Sequence, residues 1–429
     1  MNPYVPGAGL RPAALVGRDP VIGDLRTIID RTTIGLMDRS MILKGLRGVG
    51  KTVLLNEMWR IAREDGWITA RVEGAASAED RLVLDQVRAE LIANLPETKS
   101  KGPLQKMRKL MTSIESVSLS VSPSHTLSAG MSFSQTGDEP KGPIDPAEFM
   151  GIALSVARAV KDDSSTTAHG VMLFIDEMQL LAKQELSAIT YACHKAGQDE
   201  IPFYVIGAGL PDLPTRLAEA RSYAERLFTY RDIDRLDDAE ARDALIIPAY
   251  KQAVTWSEGA LALVVNEARG YPYFLQQYGK EAWAVASSAK RVNVISEADA
   301  KDGITRGRAE LEAGFYASRW HRATAAERKY MAAMALAGSE FSTTDAVASA
   351  LKRTAQSLGP TRAKLIERGF IYSSYRGQIA FTVPGMGGFI MQTPEADDLK
   401  REISGDAVAR QIPDEEGVAT VDEHMYYTT

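Results

Sequence analysis

Gly45-Leu46-Arg47-Gly48-Val49-Gly50-Lys51-Thr52 places glycines, a lysine and a hydroxyl residue at the spacing that cradles phosphates. The glycines let backbone N–H groups turn inward on phosphate oxygens, and a helix start behind them adds its positive dipole end. In that frame Gly45, Gly48, Val49, Gly50, Lys51, Thr52 and Val53 are candidate nucleotide contacts, Lys51 reaching the β- and γ-phosphates and the Thr52 hydroxyl holding Mg²⁺. A second cluster follows on a later strand. The apolar run Val171-Met172-Leu173-Phe174-Ile175 ends on Asp176-Glu177, where ligands bind in open α/β sheets. Asp176 is the candidate second support for Mg²⁺, and Glu177 the candidate general base that polarises an attacking water. The chemistry expected is binding and hydrolysis of ATP with Mg²⁺.

These residues need a sheet to hold them. Residues 41–43 form a short apolar run before the loop and read as a strand, and 53–62 read as a helix with Val53, Leu54, Met58 and Ile61 at helical spacing. Further strands are expected at 67–72, 171–175 and 203–206, with helices from near Pro20 and over 78–95, 148–160 and 179–196. Strands alternating with helices imply an α/β fold: a P-loop parallel sheet covered on both faces. Residues 1–232 are assigned to this nucleotide-binding core, and the Pro- and Gly-rich opening is read as an extended arm.

Within the core, residues 96–146 break the pattern. They are rich in Ser, Gly, Lys and Pro, and alternate at Ser116-Val117-Ser118-Leu119-Ser120-Val121 and again at Met131-Ser132-Phe133-Ser134. A flexible hairpin insert is expected, either loop decoration or an element that contacts protein partners. From 233 to 316 the strand signals stop and helices dominate, giving a helical lid.

A third unit follows over residues 317–393. Helices at 323–337, 343–353 and 360–368, the last started by Pro360 and stopped by Gly369, precede a hairpin of 370–372 and 378–381. Three helices and a hairpin outline a winged helix-turn-helix domain. Ten basic residues against four acidic ones give residues 319–376 a balance of +6, although the whole chain carries −6. The third helix would be the DNA reader through Thr361, Arg362 and Lys364, with Lys352, Arg353 and Arg376 meeting phosphates. Duplex DNA is thus a candidate partner; a protein-docking or packing role for the module stays open beside it. Residues 394–429 are acidic, ten carboxylates from Glu395 onward against three bases, and read as a disordered tail.

Composition sets outer bounds. The 429 residues suffice for about three units. An apolar share of 45 % with 25 % charged residues is ordinary for a soluble protein, and no apolar run approaches the roughly 20 residues of a membrane span. One cysteine, Cys193, leaves no internal disulfide and fits a reducing cytoplasm, where the protein is expected. Cys193 lies in an apolar helical stretch and reads as core. The five histidines show no zinc spacing with it.

Together the phosphate loop, the Asp176-Glu177 strand, the lid and the C-terminal module resemble AAA+ ATPases, and within them the clade shared by origin-recognition initiators and STAND signalling ATPases. The resemblance spans residues 2–392. It rests also on Val16-Gly17-Arg18-Asp19, similar to the "VGR" element near the adenine, and on Gly270-Tyr271-Pro272-Tyr273-Phe274-Leu275, similar to a "GxP" lid element. The resemblance implies that Val16 and Gly17 line the base pocket and that Pro272 caps it. It places an arginine finger at Arg226, with Arg221 as competitor, in an ATP-dependent homo-oligomer; a solvated helix arginine is the plain alternative. Two departures stand out. The strand ending Gly207-Ala208-Gly209 lacks a polar side chain to sense the γ-phosphate, and no lid arginine is an unambiguous sensor, Arg269 lying beside Gly270. Gln179 either orients water or phosphate or simply starts a helix. These losses imply slow hydrolysis, suited to a switch that couples nucleotide state to DNA, or to a signalling or defence scaffold that binds proteins through the insert and the C-terminal module.

Overall fold

The computed structural model describes residues 1–74, 82–95, 102–106, 146–289, 293–338, 341–373 and 377–409. The two alternating segments of the insert, and Arg376, lie outside the described residues.

Among the described residues, five strands build the core sheet: β1 (Ser40–Lys44), β2 (Ile68–Glu73), β3 (Val171–Asp176), β4 (Phe203–Gly209) and β5 (Phe228–Asp232). Their order is β2-β3-β4-β1-β5, and every pairing is parallel. A parallel sheet is covered on both faces, so its central strands are apolar on both sides. β3 and β4 show this, each buried along its whole length. The period of two then splits β3 between two cores. Met172 and Phe174 pack with Leu54 and Met58 of the helix Lys51–Glu64. Leu173 and Ile175 pack on the other face with Val156 of Pro146–Asp162 and Ile189 of Lys183–Gln198. Cys193 is buried there, and burial pushes its thiol up to about 12.

Among the described residues, the segment read as a lid holds four long helices, Asp238–Tyr250, Glu258–Ala268, Pro272–Ser288 and Glu297–Glu310. Asp237, Ser257 and Ser296 cap three of them by accepting N–H bonds from the first turn. The lid is not purely helical, however. Thr255–Trp256 (β6) pairs parallel with Val294–Ile295 (β7), two-residue strands too short to leave a period in the sequence.

A π-helix, Leu311–Tyr316, leads into Ala317–Arg322, the first helix of the segment assigned to the C-terminal module. Its further helices are Ala325–Ala337, Thr344–Ala350, Gly359–Glu367 and the short Met386–Ile390, and its strands β8 (Phe341–Thr343), β9 (Ile371–Ser373) and β10 (Gln378–Phe381) form an antiparallel sheet in the order β8-β10-β9. β8 is an addition to the expected hairpin. Thr343 ends this strand and also caps the next helix, accepting from the Ala346 N–H, so the capping signal hid the strand. Lid and module share one apolar core, in which Tyr278 and Tyr316 sit with Met334 and Leu365.

The acidic tail departs from expectation over its first half. Pro394–Ala409 is a helix. Ala396 and Leu399 are buried in the shared core, and Glu395 and Glu402 pair with Arg328 and Lys329 of the helix Ala325–Ala337. An average over the whole tail masked an apolar stripe confined to its first turns. Residues 410–429 lie outside the described residues.

Candidate nucleotide site

The phosphate loop leaves β1 and turns into the helix Lys51–Glu64, with Gly48 at φ +84° and Gly50 at φ +92°. Both are left-handed conformations that side chains disfavour. Gly45 meets a different demand: a Cβ there would lie 2.1 Å from the Ile233 carbonyl oxygen. Lys51 is buried and donates to the carbonyls of Gly45 (2.9 Å) and Leu46 (2.7 Å). Burial pulls its ammonium down to about 8; Glu177 and Asp176 oppose that shift and Arg47 adds to it.

Asp176 ends β3 two strands from the phosphate loop, with β4 between them. Burial raises its carboxyl above the usual range, while hydrogen bonds from the Thr52 hydroxyl and the Glu177 N–H (2.8 Å) hold that rise back. Glu177 has a left-handed backbone at φ 46°, a strained geometry that collects at functional sites. Both of its carboxylate oxygens are engaged. Arg47 donates to Oε1 at 2.9 Å, and the Gln179 amide donates to Oε2. The other end of the Gln179 amide accepts the Leu210 N–H at 3.1 Å. Gln179 is therefore a buried link between Glu177 and Leu210, the residue just past β4. β4 itself ends in glycines because its neighbours need the room: a Cβ on Gly207 would fall 2.5 Å from Met178 Sδ, and one on Gly209 2.8 Å from Gln179 Oε1.

A cavity of about 350 Å³ opens over the loop, within the range of small-molecule sites. Gly48 through Val53 form its floor, and Val16, Pro272 and Tyr273 contribute walls. Gly17 and Gly45 are absent from the lining. Gly17 turns the chain at φ +68° beside the Glu240 carboxylate, and Arg18 does the fastening there, donating to the carbonyls of Asp234 (2.7 Å) and Val49 (3.1 Å). The opening arm closes one side from Val5 to Leu15. Tyr4 anchors it in the lid, its hydroxyl donating to Leu245 O at 2.6 Å, and Arg11 pairs with Glu57 on the phosphate-loop helix.

Residues 14–206 match the family model of an AAA ATPase domain. The core of this chain is an AAA+ ATPase domain. Residues 313–390 match a second family, a domain of unknown function (DUF8462). No curated protein matches the chain. Among solved structures it is similar to the Walker-type ATPase PABY2304 of Pyrococcus abyssi, at 13% identity and TM-score 0.53 over 89% of this chain and 97% of that one. Cdc6p from Pyrobaculum aerophilum is matched at 12% identity and TM-score 0.44 over 92% and 97%. The Thermotoga maritima RuvB Holliday junction branch migration motor is matched at 17% and 0.42 over 87% and 96%. The first of these shares the fold.

Around this AAA+ core the remaining candidates fall in two places. Arg226 is exposed on the short helix Ala224–Leu227, before β5. That is the opposite end of the parallel sheet from the phosphate loop, so any contact with a nucleotide needs a neighbouring subunit. Arg221 is held by Ser187 Oγ at 2.8 Å. In the C-terminal module Lys352, Arg353 and Lys364 are exposed, while Thr361 and Arg362 are half-buried. Arg269 caps the helix Glu258–Ala268 in a left-handed conformation.

Composition and motif gave no sign that the module meets the AAA+ site. The Arg47 N–H donates to the Thr382 carbonyl at 3.1 Å, and a Cβ on Gly369 would lie 3.2 Å from Arg47 Nη2. Arg319 also lines the cavity, beside Arg47, Lys51 and Glu177. Arg319 was visible only as a contributor to the basic balance of residues 319–376, and Arg47 only as a variable position of the phosphate loop.

Proposed function

We propose that the protein is a Mg²⁺-dependent ATP-binding switch with slow hydrolysis, coupling its nucleotide state to DNA through the C-terminal module, read as a winged helix. The donor set fits the metal: Thr52 and Asp176 already share a hydrogen bond, and Mg²⁺ needs only one or two protein oxygens beside phosphates and waters. Bound there, Mg²⁺ would supply charge neutralisation at the phosphate oxygens. Lys51 and the loop N–H groups would hold the phosphates, and Val16 and Pro272 would flank the base. Glu177 would take the proton of the attacking water once Arg47 and Gln179 leave it a free lone pair. Its double engagement supports a slow rate.

The observation that carries the coupling is the Arg47–Thr382 hydrogen bond, which ties the loop backbone to the C-terminal module. A phosphate on that loop and the module's carbonyl compete for the same region. The test is duplex DNA binding by the full chain at low salt with ADP, with a non-hydrolysable ATP analogue and without nucleotide. Affinity indifferent to nucleotide would sink the coupling, and absence of binding would sink the DNA half.

A second reading, a scaffold whose ATP-bound form assembles with protein partners, is favoured by one observation. Arg328, Lys329 and Arg368 are spent on Glu395, Glu402 and Glu327, so the module offers less free positive charge than its composition suggests. Particle mass that grows with ATP and ignores DNA would select it; Arg226 would then face a neighbouring subunit.

A further inference from the structure

Arg319 is a half-buried guanidinium that, among the described residues, forms no ion pair and no hydrogen bond. Burying an arginine without an acid is costly, and such groups are normally satisfied. Its surroundings hold it in place. Its guanidinium lies 5.5 Å from the centre of the Phe315 ring, a cation–π contact. Phe315 stacks on Tyr273 at 5.2 Å, and the Tyr273 N–H donates to the Gly48 carbonyl of the phosphate loop at 3.3 Å. The next residue, Tyr316, stacks on Phe389 at 5.6 Å and donates to Pro384 O, both in the C-terminal module. Arg319 therefore stands on an aromatic stack that runs from loop to module, one turn after a π-helix, a distortion frequent at functional sites.

What faces Arg319 is the phosphate end of the cavity. It lines that cavity with Arg47, Lys51, Thr52 and Glu177. Burial pulls its guanidinium down to about 10, and Arg47 and Arg322 push the same way while Glu177 opposes. A second cation beside Arg47, desolvated and without a carboxylate of its own, suits an anion better than any protein group present. The loop amides take the α- and β-phosphates and Lys51 the β- and γ-phosphates, so a second cation near Glu177 would share the terminal phosphate with Lys51.

We propose that Arg319 is a positioning residue that binds the terminal phosphate of ATP in cis, so that the C-terminal domain, and not the lid, distinguishes ATP from ADP. The proposal rests on the ATP-site reading above. Arg319 would donate two N–H bonds to phosphate oxygens, and the aromatic stack would carry its displacement to the module.

The test measures equilibrium binding of fluorescent ADP and of a fluorescent non-hydrolysable ATP analogue, with Mg²⁺, to full-length wild type, Arg319→Ala, Arg319→Lys and the neighbouring Arg322→Ala. Arg319→Ala is expected to weaken the ATP analogue about tenfold or more and ADP less than about twofold. Arg319→Lys should recover part of the loss, and Arg322→Ala should match wild type. Equal losses for both nucleotides, or none for either, would overturn the assignment while leaving the ATP site standing. Wild type that binds neither nucleotide would overturn both. Melting curves of the variants without nucleotide guard against misfolding, and Arg319→Lys keeps the test decisive should the alanine variant unfold.

Discussion

Arg47 and Glu177 face each other at 2.9 Å, a phosphate-loop guanidinium closed on the carboxylate that ends the β3 motif. If Glu177 is the general base proposed above, this pairing restrains it from water. We expect Arg47→Ala to raise steady-state phosphate release roughly fivefold, the equivalent of about 1 kcal/mol for one charge-assisted hydrogen bond. Unchanged or reduced turnover would show that the pair does not act as a brake.

Binding and hydrolysis should separate cleanly by residue. Lys51→Ala is expected to abolish nucleotide binding in a fluorescence titration. Glu177→Gln keeps its size and should bind normally while turnover drops about a hundredfold, the usual worth of a general base. Hydrolysis that survives in Glu177→Gln would remove Glu177 from that role.

Burial pulls Lys51 down to about 8. Its folded value lies below its unfolded one, so between them the unfolded chain holds the extra proton, and stability without nucleotide gains from this group as pH rises through that window. Nucleotide affinity runs the opposite way, because the neutral amine cannot attract phosphate. Titrations across pH 7 to 9.5 should therefore show weaker binding above about 8 alongside a slightly higher Tm. A flat affinity profile would contradict the buried, depressed ammonium.

Glu327 is a buried carboxylate at the start of the helix Ala325–Ala337, bound to Arg368 at 2.5 Å and to the Thr324 N–H at 2.7 Å. Glu327→Ala removes both partners' acceptor and leaves Arg368 without a carboxylate, held by the Arg322 carbonyl and the Phe370 ring. The expected loss is about 2 kcal/mol, discounted because Arg368 is itself partly exposed. Thermal melts of the full chain read it directly; a shift under a degree would mean water serves Arg368 equally well.

Removing residues 394–429 uncovers Lys329 and Arg328. If the module binds DNA, the truncated protein should bind duplex more tightly at low salt, and with a steeper salt dependence, by about one unit of slope per added phosphate contact. Weaker or equal binding would place the tail helix outside the DNA question.

The phosphate loop and the β3 carboxylates were legible because their chemistry is local: a few residues in a row carry both the geometry and the ligands. The central strands announced themselves by apolar runs for the same reason. The strands at Thr255, Val294 and Phe341 left no mark, since two or three residues cannot show a period. Glu395 and Glu402 read as a solvated run until Arg328 and Lys329 came beside them in space. Arg319 and Thr382 reach a loop more than 250 positions earlier, and no spacing rule spans that separation. The glycines of β4, read as a lost sensor, answer to packing by Met178 and Gln179, a cause visible only once strands are side by side.

The arm at the start of the chain has a mechanical corollary. Tyr4 is sunk in the lid core and Arg11 grips the phosphate-loop helix, so the seven peptide steps between them bridge the two bodies. Fully taut, that segment spans at most about 25 Å. While both anchors hold, it is a leash: it would limit how far the two bodies could part around a bound nucleotide.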